Sequence, residues 1–346
     1  MLRCFGFNKT DKYTNNALKY IKTKIIKEEE EKIDKSPEPS NDTLYVILPY
    51  FNFCNSKRRY ELFIEFVDRL SKYDRIKIIV SEATNTDKYQ LPDNMENIYQ
   101  HHGYKLQSEY WCKENLINVA IHNLPINWKY VAWIDADITF LNDNWVNDTI
   151  NELNKSAFIQ LFTTAVYLGP NEEAMRIDKS FGYMHKNSKT DWQTDHKYGF
   201  WHCGFAWACT RYAYEKTNGL IDYAILGSGD HHMALALINK VEQSYPNNNT
   251  IDKSFLEKLK DYQSLIRIYK FNLSYINGTI LHHWHGRLQD RKYVERWEIF
   301  YKHKYNPEVD IYYNDVGLIN LTETGKRMES DIIQYFIDRK EDNTEL

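Results

Sequence analysis

The sequence predicts an α/β protein, with a mainly parallel β-sheet flanked by helices in one main domain and a helical C-terminal tail. Three observations carry this. Leu44-Tyr45-Val46-Ile47-Leu48-Pro49 reads as a buried strand, Tyr60 to Leu70 repeats apolar residues at helical spacing (Leu62, Phe63, Phe66, Leu70), and Ile76 to Val80 reads as a second strand. Strand, helix, strand at this spacing is a βαβ unit, which implies parallel strands with helices on the sheet faces. A chain of 346 residues with 42% hydrophobic and 15% aromatic residues also has the material for a large core.

The chain divides into a charged N-terminal extension and linker (1–42), a main domain (43–300) and the tail (301–346). In the extension, Ala17 to Ile26 has the pattern of a short amphipathic helix. The acidic run Glu28 to Glu31 and Ser36-Pro37-Glu38-Pro39-Ser40 then read as a solvated linker. After the βαβ unit, Tyr110 to His122 predicts a helix and Tyr130 to Ile134 a buried strand. Phe158 to Val166 predicts another strand, and Gly169 to Tyr198 carries few regular signals, as an insertion or a loop over the site does. Gly204 to Cys209 predicts a short strand and Arg211 to Thr217 a helix. A glycine-rich break at Gly227 to His232 leads into an apolar helix, Met233 to Ile238. A helix over 254–266 and a strand over Ile276 to Leu281 follow, with helical segments near 290–302 and 324–340 in the tail.

A net charge of −4 gives no field for gathering nucleic acid, and no nucleic-acid partner is expected. Five cysteines without a Cys-x-x-Cys pair suggest a reducing compartment. No apolar run approaches the roughly 18 residues of a membrane span, and no signal peptide is evident. The expected location is cytoplasmic. The lysine, asparagine, isoleucine and tyrosine bias points to an AT-rich genome, and to a host cytoplasm if the source is a virus.

The chemistry starts at Asp135-Ala136-Asp137, directly after the strand Tyr130 to Ile134. In an extended backbone, residues two apart point the same way, so both carboxylates would face one pocket. Hard oxygen ligands of this kind suit Mg2+ or Mn2+, which complete their shells with water and phosphate. In open parallel sheets, ligands sit beyond the carboxyl ends of the strands, so residues 49–55, 81–84 and 135–137 are expected to converge on one crevice. His282-His283-Trp284-His285 adds imidazoles: at a strand end His283 and His285 share a side, whereas a turn pairs His282 with His285. Arg287, Arg291 and Lys292 follow, with chemistry suited to phosphate oxygens. In Gly227-Ser228-Gly229-Asp230-His231-His232, Asp230 is either a helix N-cap or a base able to take a proton from an attacking hydroxyl, with His231 and His232 as fallback bases.

Taken in order, these motifs resemble the GT-A fold glycosyltransferases, nucleotide-sugar-dependent enzymes with a DxD metal motif, over roughly residues 44–300. Trp133-Ile134-Asp135-Ala136-Asp137 looks like the DxD strand, and Trp111 to Asn118 resembles the preceding helix of family 2 type enzymes. Gly204 to Asp230 is similar to their Gly-containing strand, aromatic helix and Gly-acid motif. His282 to Arg287 resembles the late His segment of polypeptide N-acetylgalactosaminyltransferases. Those relatives carry two adjacent acids where this chain has Asp230-His231. The resemblance implies a transferase of hexosyl or N-acetylhexosaminyl type. It would use Mn2+ or Mg2+ and a UDP- or GDP-sugar donor, with a glycan, lipid or protein hydroxyl as acceptor. It implies Asp135, Asp137 and His285 as metal ligands, and Pro49, Phe51, Glu82, Asn118, Asp135, Arg291 and Tyr293 as donor contacts. Asp230, or failing it His231, would be the base, and Trp201, His202, Trp207 and His283 would line the sugar or acceptor pocket. Competing readings are a metal-dependent nucleotide-sugar hydrolase or nucleotidyltransferase, and a carbohydrate-binding protein that keeps the fold without turnover. Oligomeric state is not legible.

Overall fold

The computed structural model describes residues 43–188, 201–246 and 251–345. The expected helix at Ala17 to Ile26 and the linker lie outside the described residues. A seven-stranded sheet has the order β10-β6-β9-β4-β1-β2-β3. Its members are β1 (Leu44–Phe51), β2 (Ile76–Thr84), β3 (Ile98–Lys105), β4 (Tyr130–Ile134), β6 (Phe158–Gln160), β9 (Ala206–Thr210) and β10 (Leu273–Tyr275). β4, β1, β2 and β3 run parallel to one another, as does β10 beside β6, whereas β9 is antiparallel to both β4 and β6. The sheet is therefore mixed and mainly parallel, with helices on both faces.

Strand alternation distributes the core. Tyr45, Ile47, Ile79, Val131 and Trp133 face one apolar layer, with helices Lys113–His122, Gly229–Leu237 and Lys253–Tyr269. Leu44, Val46, Leu48, Ile78, Val80 and Ala132 face the other, with helices Lys57–Leu70 and Trp145–Leu153. Burial on both faces explains why these strands read as continuous apolar runs.

A second, four-stranded sheet has the order β5-β11-β7-β8, made of β5 (Ile138–Phe140), β7 (Thr164–Leu168), β8 (Ala174–Lys179) and β11 (Thr279–His282). Two expectations are corrected by it. Phe158 to Val166 is not one strand, because the chain leaves the large sheet after Gln160 and enters the small one at Thr164. Ile276 to Leu281 breaks likewise between β10 and β11 at Gly278, whose φ of +149° lies in a region an L side chain rarely adopts. The stretch after Gly169 contains β8 and a helix, Phe181–Asn187, N-capped by the Ser180 side chain. β8 exposes most of its residues, so it lacks the apolar signal of a strand.

The C-terminal residues are not purely helical. β12 (Ile311–Tyr313) and β13 (Ile319–Leu321) form a hairpin before the helix Glu329–Asp338. Ile319, Leu321, Met328, Ile332 and Phe336 share the apolar layer that covers β1 and Lys113–His122. Among the described residues, no helix is long and apolar enough to cross a membrane. Ile319 is fully buried, so Ile319→Ala is expected to lower unfolding free energy by about 2–5 kcal/mol in denaturant titration. A loss under about 0.5 kcal/mol, the scale of a surface substitution, would mean that the hairpin is an appendage.

Candidate active site

A cavity of about 710 Å3 opens over the carboxyl ends of β1 and β4, within the size range of small-molecule sites. Pro49, Phe51, Asp135, Asp137, His202, Asp230, His231, His285, Arg291 and Tyr293 line it, all from the sequence-derived set. At the end of β4 the backbone turns at Ala136 and Asp137 instead of continuing extended. Both carboxylates still reach the cavity, by a turn and not by strand alternation.

Asp137, His282 and His285 each offer a ligand atom, all within 4.8 Å of one another. The antiparallel pairing of β11 with β5 sets His282 opposite Ile138, beside Asp137, and the chain leaves the strand there so that His285 comes back to the same place. Of the two pairings open in the sequence, the structure has the one that joins His282 with His285. Protonation states suit a cation. Burial alone would raise the Asp137 carboxyl, but His282, the hydrogen bond from His285 and Arg291 together hold it well below the usual carboxylate range. Burial lowers both imidazoles, most strongly His282. Asp137 Oδ1 and His282 Nε2 are buried without a hydrogen-bond partner. His285 Nε2 lies 2.8 Å from Asp137 Oδ2 and 2.7 Å from the Arg291 Nη2 donor. No single protonation state of that nitrogen satisfies both neighbours. A divalent ion among these three side chains fits the donor set.

Asp135 has a different partner, since its Oδ1 lies 2.5 Å from Nζ of the buried Lys113. Burial would lower that ammonium, yet Asp135, Asp230 and Glu114 raise it above its ordinary value. Lys113 and Glu114 begin the helix Lys113–His122, from which sequence reasoning singled out Asn118 instead. The signal was present: two charged residues and Asn115 open a helix whose residues 113–121 are all buried.

Asp230 lies in the first turn of helix Gly229–Leu237, whose N-cap position is Ser228, so Asp230 is not the cap residue. Its Oδ1 accepts from the His231 N–H at 2.8 Å. A Cβ on Gly204 would stand 3.0 Å from both Asp230 Oδ2 and His202 Cε1, so the missing side chain keeps the gap between carboxylate and imidazole open. His202 Nδ1 accepts from the Gly204 N–H, and burial lowers the ring to about 4, leaving it neutral. Its ring stacks on Phe205 at 4.0 Å, and Tyr167 packs 4.9 Å from His282. Phe205 and Tyr167 extend this aromatic wall and were not among the sequence-derived site residues. His231 is lowered to about 4 by burial and faces Cys203 Sγ.

Five sequence-derived residues do not line this cavity, each for a visible reason. Glu82 is buried, accepting from the backbone N–H groups of Gln90 and Leu91 and pairing with His101. The 81–84 segment therefore does not join the crevice. Asn118 donates to Leu220 O and the Asp222 carboxylate, fastening its helix to the distant segment 220–222. Trp207 lies in the core and donates from Nε1 to Cys203 O, and Trp201 packs on Phe181. His283 points away from Asp137, with Nε2 2.8 Å from Thr139 Oγ1, and lines a separate surface cavity.

No protein-family model matches the chain, and no curated protein matches it by sequence. Among solved structures, the chain overlaps the catalytic domain of Drosophila beta1,4-galactosyltransferase 7 in complex with xylobiose. There the TM-score is 0.39 and identity 14%, over 81% of this chain and 92% of that one. It also overlaps S. aureus TarS 1-349 (TM-score 0.37, 10% identity, 75% of this chain and 65% of that one). A third overlap is with the mannosyltransferase PcManGT of Pyrobaculum calidifontis in complex with GDP-Man and Mn2+. Its TM-score is 0.35 at 14% identity, over 66% of this chain and 62% of that one.

Glu114 gives the site a measurable pH signature. Burial raises its carboxyl to about 8, with Asp230 adding to the rise and Lys113 opposing it. The folded state therefore holds a proton that the unfolded chain releases above its ordinary value, so stability falls as pH rises from about 4.5 toward 8. Glu114→Gln is expected to flatten that fall, by on the order of 1 kcal/mol per pH unit, in denaturant titrations at pH 5, 6.5 and 8. Parallel pH profiles for the two proteins would overturn the assignment.

Proposed function

We propose that this protein is a metal-dependent glycosyltransferase that moves a sugar from a nucleoside diphosphate sugar to an acceptor hydroxyl. The observation that carries the reading is the Asp137, His282, His285 cluster, whose His285 Nε2 meets both a carboxylate and a guanidinium donor. It opens into a cavity that holds a separate carboxylate, Asp230.

In this reading Asp137, His282 and His285 hold the ion, and Asp135 stays with Lys113 at the edge of the cluster. A bound Mn2+ or Mg2+ supplies Lewis-acid stabilisation of the charge that develops on the departing diphosphate. Arg291, buried with its Nε unpartnered, donates to diphosphate oxygens, and Tyr293 beside it closes that side. The neutral His202 ring, Phe205 and Tyr167 form the wall against which the sugar packs, in the gap above Gly204. Asp230 accepts the proton of the attacking acceptor hydroxyl, the role of a base in an inverting transfer. Support for Asp230 over His231 comes from its Oδ2, which borders the Gly204 gap. The motif resemblance supports a hexosyl or N-acetylhexosaminyl group carried on UDP or GDP, delivered to a glycan, lipid or protein acceptor.

Two separable losses are expected. Asp137→Ala and His282→Ala weaken Mn2+ binding roughly 10–100-fold or more in calorimetric titration, by analogy with the cost of disturbing metal-site contacts, and abolish metal-dependent turnover of UDP- and GDP-sugars. Asp230→Asn keeps Mn2+ affinity while transfer falls about 10²–10⁴-fold. Metal binding without binding or turnover of any nucleotide sugar would contradict the transferase reading.

A further inference from the structure

The residues after helix Glu329–Asp338 run back beside the cavity as a strap, with Arg339 lining it and Glu341 to Asn343 lining a neighbouring surface cavity. Asp342 is fixed at the start of helix Lys57–Leu70, where its carboxylate accepts from Ser56 Oγ at 2.7 Å and from the Arg58 N–H at 2.8 Å. Asn343 O accepts from Trp284 Nε1 at 2.7 Å, and Lys292 pairs with Asp338. The strap lies on Gly286, next to His285: φ there is +87°, and a Cβ would come 2.8 Å from Lys340 O. Residues 338–343 are thus tied to both the metal-ligand segment and the first helix.

Between these ties, Glu341 sits between two arginines that line the cavity. Burial would raise its carboxyl, but Arg59 and Arg339 outweigh that and hold it well below the usual range. Two guanidinium groups against one carboxylate leave an excess positive charge. The two arginines are not equivalent. Arg339 is engaged through all three nitrogens, with Nε and Nη2 on Glu341 at 2.9 and 2.8 Å and Nη1 on Tyr335 OH at 3.1 Å. Its side chain is 4% exposed. Arg59 meets Glu341 through Nη1 alone, lies over the Phe51 ring at 4.8 Å, and is 24% exposed. Arg339 is thus a strut, whereas Arg59, which also lines the cavity, keeps Nε and Nη2 outside its pairing with Glu341.

We propose that the C-terminal strap completes the anion-binding side of the cavity, with Glu341 as a positioning residue that holds Arg59 where its guanidinium meets the diphosphate of the nucleotide ligand. The proposal rests on the metal and nucleotide reading given above. A planar guanidinium held on one edge offers its other edge to phosphate oxygens at low entropic cost.

The test uses the full chain with Mn2+ and inorganic pyrophosphate in calorimetric titrations. Arg59→Met is expected to weaken pyrophosphate binding in the presence of Mn2+ at least about tenfold, and Glu341→Gln at least about fivefold. Mn2+ alone should bind both variants within about twofold of wild type, a separation that collapse of the strap onto His285 would not allow. Arg59→Lys should recover part of the loss. If Arg59→Met does not fold, Arg59→Gln, which retains a donor toward Glu341, carries the same expectation. Pyrophosphate affinity within twofold of wild type in Arg59 and Glu341 variants would overturn the strap's role while leaving the function intact. A wild type that binds neither Mn2+ nor any nucleotide would overturn the functional reading itself.

Discussion

The arrangement around His285 Nε2 constrains everything near it. With a proton, the nitrogen answers Asp137 but opposes the Arg291 donor; without one, it accepts from Arg291 but turns a lone pair on a carboxylate. Buried and desolvated, such a conflict is costly, and proteins retain it where a further charge resolves it. A cation shared with Asp137 Oδ1 and His282 Nε2 would give each orphaned atom a partner. The surrounding architecture serves that point. β4 and β5 bring in Asp137, β11 brings in the histidines, and the strap lies on Gly286 behind them.

The two-sheet layout explains how distant segments converge. β6 and β10 pair in the large sheet, and β7 and β11 pair in the small one. Of the passages from the large sheet to the small one, those after β6 and after β10 therefore run side by side. The passage after β10 places β11, and with it His282, beside the end of β4. The one after β6 places Tyr167 against the His282 ring. The metal cluster and the aromatic wall of the cavity are in this sense one construction.

The βαβ start, the strand before Asp135 and the His segment were legible because their signals are local: apolar runs buried on both faces, and a rare cluster of imidazoles. What was not legible depended on long-range partners. Glu82 and Asn118 look like ligand contacts at a strand end and a helix, yet Gln90, Leu91, Leu220 and Asp222 occupy them. Asp135 looked equivalent to Asp137, and only the approach of Lys113 separates them. Trp201 and Trp207 were equally compatible with core and pocket, and packing decided for the core. The strand broken at Leu161 to Thr163 has continuous β-favouring sequence, so that change of sheet is set by tertiary pairing, whereas Asn277-Gly278 at the other break is a local turn signal.

The central claim is most directly tested by pulsed EPR on the Mn2+-loaded protein with UDP or GDP added. Nitrogen modulation from two imidazoles is expected, lost stepwise in His282→Ala and His285→Ala, together with phosphorus coupling from the nucleotide. A Mn2+ signal that carries only water and carboxylate ligands, or that shows no phosphorus coupling at saturating nucleotide, would contradict it.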